Sequence, residues 1–304
     1  MSLRIVFMGT PEFAVPSLDI LVRNGYKAVG VVTATDKMGG RGLKQVIQPA
    51  VKQYAIKHGI PVLQPQNLKS PEFLEALRQL EGNLQVVVAF RMLPEAVWAL
   101  PSYGTFNLHG SLLPRYRGAA PINWAVINGE SETGVTTFFI KNEIDTGDII
   151  LQERMPVGEN DTAGDVHDSM MLLGAETVLK TVRLIESGNV ELQKQDHSMA
   201  TKAPKLYHET CEIDFAQPTQ KVHDFIRGLS PYPAAWCSLD GKELKILRTA
   251  KVLTPPSHPP GTFVSDNKNF LRAATLDGYL EIQELQLEGR RRMVVRDFLN
   301  GFSF

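Results

Sequence analysis

The feature that most constrains this chain is a recurring pair. A short, continuously apolar run is closed by glycine or proline, and a segment with apolar residues at helical spacing follows it. Arg4-Ile5-Val6-Phe7-Met8 is the first run, and Gly9-Thr10-Pro11 ends it. Phe13, Val15, Leu18, Leu21 and Val22 then mark one face of a helix, Gly25 stops it, and residues 28–33 form the next run. Strands that are apolar at consecutive positions are covered on both faces, and strand–helix–strand alternation makes a parallel sheet the default. The pattern continues with a helix near 47–58, a strand at 61–63, a helix near 71–80, a buried run at 84–89 and a helix near 95–99. It predicts an α/β fold with a Rossmann-like, mostly parallel sheet flanked by helices.

The next strand breaks the all-apolar habit. Phe106 and Leu108 alternate with Asn107 and His109, a period of two that puts the amide and the imidazole on one face. Gly110-Ser111 breaks the strand, and a loop through Pro114, Gly118 and Pro121 follows. In open α/β sheets, sites are built at the carboxyl ends of strands. An amide N–H₂ and an imidazole there can meet an oxygen that gains negative charge during attack on a carbonyl. Asp145 closes another strand-end turn, Asp145-Thr146-Gly147-Asp148. A carboxylate brought there can orient His109 or take a proton from an attacking amine. Ser111 lacks the G-x-S-x-G elbow of an activated nucleophile, so the pattern favours attack by an external group. Phe90-Arg91-Met92-Leu93 forms a strand-end loop of the kind that lines pockets.

Other signals narrow the classes. There is no G-x-G-x-x-G opening the first helix, no P-loop and no H-E-x-x-H. The two cysteines, Cys211 and Cys237, supply no disulfide framework and no metal-ligand spacing, which suits a reducing cytoplasm. No metal is expected. No apolar run approaches the length of a membrane span, and the first residues read as a strand rather than a signal peptide. The formal net charge is -1, so any polyanionic partner must be met locally. One local candidate is the loop from Asp36 to Lys44, with three glycines and the cations Lys37, Arg41 and Lys44.

Residues 162–185 carry helical periodicity, and residues 190–206 carry little, so a linker is expected there. Beyond it, after a short helix near 219–227, short strands alternate with turns such as Asp240-Gly241, Pro259-Pro260-Gly261 and Asp277-Gly278. That spacing predicts a small β-barrel of OB-like type. The expected division is a catalytic domain over 1–189, a linker over 190–206 and a β-barrel domain over 207–304. In the last of these, 12 Lys and Arg balance 12 Asp and Glu, with one cluster at Arg290-Arg291-Arg292.

The stretch Asn107-Leu108-His109-Gly110-Ser111-Leu112-Leu113-Pro114, continued by Arg115-Tyr116-Arg117-Gly118-Ala119-Ala120-Pro121-Ile122, resembles the signature of folate-dependent formyltransferases. Ile144-Asp145-Thr146-Gly147-Asp148-Ile149 resembles their second motif. The start (Phe7-Met8-Gly9-Thr10-Pro11), Gly40-Arg41-Gly42 and Asp297-Phe298-Leu299-Asn300-Gly301 resemble the branch that acts on charged initiator tRNA. The resemblance implies formyl transfer from 10-formyltetrahydrofolate to the α-amine of methionine on initiator methionyl-tRNA. Asn107 and His109 would stabilise the tetrahedral intermediate and Asp145 would assist proton removal. Ser111, Leu112, Leu113 and Pro114, with Phe90, Arg91, Met92 and Leu93, would line the folate pocket. Lys37, Arg41 and Lys44 would meet the acceptor end, and the β domain, with Arg290, Arg291 and Arg292, would grip the tRNA. A cytoplasmic monomer is expected. The alternatives are a sugar-nucleotide N-formyltransferase, a formyltetrahydrofolate hydrolase and a non-enzymatic RNA-binding module.

Overall fold

A computed structural model describes residues 2–39 and 45–302. The chain divides into two compact units, the first made of Met1–Gly118, Gly134–Met155 and His167–Lys202, the second of Ala119–Thr133, Pro156–Val166 and Ala203–Phe304.

Unit 1 begins with β1 (Arg4–Gly9), α1 (Val15–Arg23) and β2 (Lys27–Val32). A small antiparallel pair, β3 (Lys37–Gly39) and β4 (Gln45–Ile47), precedes α2 (Ala50–Lys57), β5 (Val62–Leu63), α3 (Pro71–Gln79) and β6 (Leu84–Val88). Then come α4 (Glu95–Trp98), β7 (Thr105–His109) and β8 (Arg117–Gly118). After α5 (Pro121–Ile127) the chain forms β9 (Glu132–Phe139), β10 (Ile149–Pro156) and α6 (Ala163–Ser187). The sheet order is β10-β9-β7-β6-β1-β2-β5. The pairs β1–β2, β1–β6, β2–β5 and β6–β7 are parallel, and β9 runs antiparallel to β7.

The apolar runs become the middle of this sheet because both of their faces are covered. Phe7 and Met8 have no exposed surface, and neither do Val86 and Val88 of β6. Each such side chain contributes roughly 1.5–3 kcal/mol on leaving water. Gln85, the one polar residue in β6, is buried too and accepts a hydrogen bond from the Thr105 hydroxyl at 3.0 Å. The helices start where local chemistry allows. Ser70 caps α3 by accepting from the Phe73 N–H, and Pro71 fills its first turn. The first predicted helix opens with a 3-10 turn, Glu12–Ala14, because Pro16 in the first turn of α1 has no N–H to extend the helix backwards. The strand order reverses at β1, whose neighbours are β2 on one side and β6 on the other. Such a switch point, at the carboxyl ends of the strands, is where α/β sheets place ligands.

Residues 190–202, which lack periodicity, nonetheless run along unit 1. Gln193 and Ile149 exchange backbone hydrogen bonds of 2.8 and 2.9 Å.

In unit 2, β11 (Lys202–Ala203) leads to α7 (Thr219–Leu229). A curled antiparallel sheet follows, of β12 (Ala235–Leu239), β13 (Lys242–Val252), β14 (Phe263–Ser265), β15 (Leu271–Ala274) and β16 (Tyr279–Leu287). Its order is β12-β13-β16-β15-β14, and β17 (Met293–Val294) pairs with β16 before α8 (Val295–Leu299). Alternation along β13 and β16 aims Leu244, Ile246, Leu280 and Ile282 at one core, which Val222, Ile226 and Leu229 of α7 complete. Gly228 lets α7 approach α5: a Cβ there would fall 2.7 Å from the Ile127 backbone nitrogen.

Candidate active site

β7 sets the geometry. Phe106 and Leu108 face the core, with Leu108 against Gly174 of α6, so Asn107 and His109 share the opposite face. His109 is buried, and its Nε2 lies 2.8 Å from the Tyr116 carbonyl oxygen. A carbonyl only accepts, so Nε2 carries the hydrogen and Nδ1 is the ring atom left for other work. Nδ1 points to Asp145, 3.7 Å from its Oδ2. The half-buried Asn107 makes no side-chain hydrogen bond among the described residues, which leaves its amide available to a bound oxygen.

The loop after β7 is fixed by its own polar groups. The Ser111 hydroxyl donates to the Arg115 carbonyl at 2.6 Å, and the Thr136 hydroxyl donates to the Ser111 carbonyl at 2.6 Å. The Leu113 N–H donates to Thr136 Oγ1, and the Gln152 amide donates to the Leu113 carbonyl at 2.8 Å. The Leu113–Pro114 peptide is cis. Tyr116 turns back with φ 61°, and its N–H donates to the Thr201 hydroxyl. That turn is what brings its carbonyl to His109.

Asp145 arrives from the turn after β9. It has φ 55°, and its Oδ2 accepts from the Gly118 N–H at 2.9 Å. Gly147 is obligatory here, because a Cβ would stand 1.6 Å from the Phe139 carbonyl oxygen. Beneath the turn lies Gln195, 7% exposed, whose amide donates to the carbonyls of Asp145 and Gly147 at 2.9 and 2.8 Å.

The structure therefore brings Asn107, His109 and Asp145 to one strand end. Of the residues expected at the folate pocket, Ser111 has no exposed surface, and Leu113 packs with Phe138 and Ile149. Leu112 and Pro114 are half-buried. Leu93 sits in the core beside β6, with Phe90 against it, while Met92 is 74% exposed. Arg91 lies over the Phe90 ring and donates to the carbonyls of Gln66 and Pro65. Among the expected tRNA contacts, Lys37 is exposed on β3, and Arg41 and Lys44 lie outside the described residues. Arg290 and Arg291 are exposed, whereas Arg292 is paired with Glu284, Nε to Oε1 at 2.7 Å. Gln195 carried no sequence signal: it is one glutamine in an aperiodic stretch.

The doubly wound sheet, with Asn107 and His109 on one face of β7 and Asp145 beside His109, makes this an α/β protein with a polar cluster on its central sheet. The formyl transferase model matches residues 3–182, the formyl transferase C-terminal domain model matches residues 205–303, and the chain belongs to this family. A methionyl-tRNA formyltransferase of Parabacteroides distasonis is 54% identical over 313 residues, covering 99% of this chain and 96% of the relative. One from Bacteroides fragilis is 52% identical over 309 residues, covering 99% and 95%. In fold, the chain is similar to an N-formyltransferase of Helicobacter canadensis solved with folinic acid and dTDP-3-aminofucose. The TM-score is 0.68 at 21% identity, over 96% of this chain and 100% of that one.

Proposed function

We infer that this chain is an enzyme that moves the formyl group of 10-formyltetrahydrofolate to the α-amine of methionine on initiator methionyl-tRNA. Relatives of about half identity over nearly the whole chain carry that activity in their names. The observation that supports the chemistry is the 3.7 Å approach of His109 Nδ1 to Asp145 Oδ2 beside the Asn107 amide, which has no hydrogen-bond partner among the described residues. In the proposed reaction the amine attacks the formyl carbon and a C–N bond forms. The carbonyl oxygen becomes an oxyanion held by the Asn107 amide, an interaction typically worth a few kcal/mol. The His109–Asp145 pair takes the proton that the amine gives up. Collapse then breaks the bond from carbon to N10, and N10 gains a proton, so no net charge or proton is lost. An α-amine with an ordinary pKa near 7.7–8.0 is already substantially nucleophilic, so position and proton acceptance suffice.

Leu112, Pro114, Phe90 and Met92 would form the accessible folate wall, while Ser111, Leu93 and Leu113 would set its shape from beneath. Lys37, Arg41, Lys44, Arg290 and Arg291 would meet tRNA phosphates. We assign Arg292 a smaller share, because Glu284 already pairs with it. The working unit would be a catalytic domain over 1–189, a linker and a tRNA-binding domain over 207–304, acting as a cytoplasmic monomer. Two free, buried cysteines support a reducing location, and no helix among the described residues is long and apolar enough to cross a membrane. The test is incubation with 10-formyltetrahydrofolate and charged initiator methionyl-tRNA, an amino-sugar nucleotide, or buffer. Formyl-methionyl-tRNA is the expected product. Product only with the sugar nucleotide, or formate release in buffer at the full rate, would overturn the reading.

A further inference from the structure

Asp145 is gripped at two points. Its backbone carbonyl accepts from Gln195 Nε2 at 2.9 Å, and its carboxylate accepts from the Gly118 N–H at 2.9 Å. The two grips are joined. Gln195 Oε1 accepts from Arg117 Nε at 3.1 Å and from Arg117 Nη2, and Arg117 is the residue before Gly118. Asp145, Gln195, Arg117 and Gly118 thus close a ring. The orientation of the Gln195 amide follows from its partners, since carbonyls only accept and a guanidinium only donates. Arg117 is anchored in turn: its N–H donates to the Thr201 carbonyl at 2.9 Å, and its Nη1 donates to His197 Nδ1 at 3.3 Å. The backbone held this way is a left-handed aspartate, φ 55°, a conformation that persists only where surroundings impose it.

We propose that Gln195 is a positioning residue for formyl transfer, locking the Asp145 turn and the Arg117–Gly118 loop into one frame so that the carboxylate stays opposite His109. The proposal rests on the reading of Asp145 as part of the reacting centre. Gln195 donates to both carbonyls of the turn with one NH₂ group, and its oxygen is occupied by Arg117. A carboxylate of the same length keeps the Arg117 contact but turns both donors into acceptors facing carbonyls.

The test is a double-mutant cycle on the full chain with 10-formyltetrahydrofolate and charged initiator methionyl-tRNA. Displacing a reacting group by about an ångström costs about 10²-fold in rate, so Gln195→Glu is expected to lower kcat on that scale. KM for both substrates should stay within about threefold, because ground-state binding is untouched. In an Asp145→Asn background the same substitution is expected to cost less than about threefold, since the group it positions is gone. A kcat for Gln195→Glu near that of the unsubstituted chain, or losses that multiply in the double variant, would overturn the proposal. Full kcat in Asp145→Asn alone would instead overturn the assignment of Asp145, and it is read from a separate arm. Arg117→Met frees the amide oxygen while leaving the two carbonyl contacts. It carries the same cycle with the same criteria where Gln195→Glu fails to fold.

Discussion

His109 Nδ1 lies 3.7 Å from Asp145 Oδ2, while the opposite ring nitrogen is committed to the Tyr116 carbonyl at 2.8 Å. The imidazole is therefore oriented from one side and presented from the other. It has one free nitrogen, and that nitrogen faces a carboxylate fixed by the Gly118 N–H.

Removing either end of the proposed reacting centre should act on turnover. Loss of one preorganised oxyanion donor costs about 10²–10³ in kcat, so Asn107→Ala is expected to fall in that range. Asp145→Ala should lose at least as much, because it removes the partner that His109 Nδ1 faces. In both variants tRNA affinity, measured by filter binding, should stay within a few-fold. Equal losses of affinity and turnover would mean that these side chains serve binding instead.

The parts of the molecule legible in the sequence are those with local physical signatures. Doubly buried strands such as β1 and β6 announce themselves as apolar runs, and β7 announces its two faces by alternation. The tight turns of unit 2 place β12 and β16 beside Asp240-Gly241 and Asp277-Gly278, and β14 just after Pro260-Gly261, as that punctuation predicts. The Asn107, His109 and Asp145 positions were legible as strand-end polar residues, but their convergence was not: β9 runs antiparallel to β7, and Asp145 reaches His109 through the turn that follows β9 rather than from a parallel strand end. What stayed hidden depends on long-range closure. Gln195 reaches Asp145 across 50 residues of chain, from a stretch without periodicity. The burial of Ser111 and Leu113 beneath the loop follows from contacts with Thr136 and Phe138 on another strand.

The cysteines should be silent towards thiol reagents in the folded chain. Burial pushes the Cys237 thiol up to about 12, and burial also raises Cys211. The thiolate is the reactive form, so at pH 8 its population at Cys237 is negligible. Titration with an aromatic disulfide at pH 8 should release no chromophore from native protein and about two equivalents after denaturation, one for each cysteine. Rapid release of one equivalent from native protein would contradict the burial of these residues.

His223 should make the protein acid-sensitive. Its side chain is buried between α7 and β13, with Nδ1 2.9 Å from the Thr249 hydroxyl. Burial, reinforced by the charges of Arg227 and Lys251 and opposed by Asp224, lowers its pKa below the ordinary value of 6.5. The unfolded chain then binds this proton more readily than the folded one. Stability is flat where both forms are neutral and falls as pH drops below about 6.5. The melting temperature should drop by a few degrees between pH 7.5 and 5.5. The drop should shrink in His223→Gln, and an undiminished slope in that variant would place the acid sensitivity elsewhere.

The Arg227–Asp224 pair on α7 should be the most costly polar contact to break in unit 2. Both side chains are nearly inaccessible, 6% and 7% exposed, and Nε meets Oδ1 at 2.7 Å. The guanidinium also reaches backbone: Nη1 donates to the Asp161 carbonyl at 2.9 Å and to the Gly158 carbonyl at 3.3 Å. Asp224 has a second role, accepting from the Gln220 amide at 2.9 Å. Truncating the aspartate leaves a buried cation with only carbonyl dipoles for company, and such unpaired charges cost about 3–5 kcal/mol. Asp224→Ala should therefore destabilise on that scale in urea titration. Arg227→Met should cost less than the reciprocal change, because its thioether fills the volume and Asp224 keeps the Gln220 contact. The double variant Asp224→Leu/Arg227→Met should recover much of the loss, since an apolar pair of similar volume removes both desolvation costs at once. If the double variant is as unstable as the sum of the two single ones, the pair is not coupled and the carbonyl contacts of Arg227 hold the 158–161 loop by themselves.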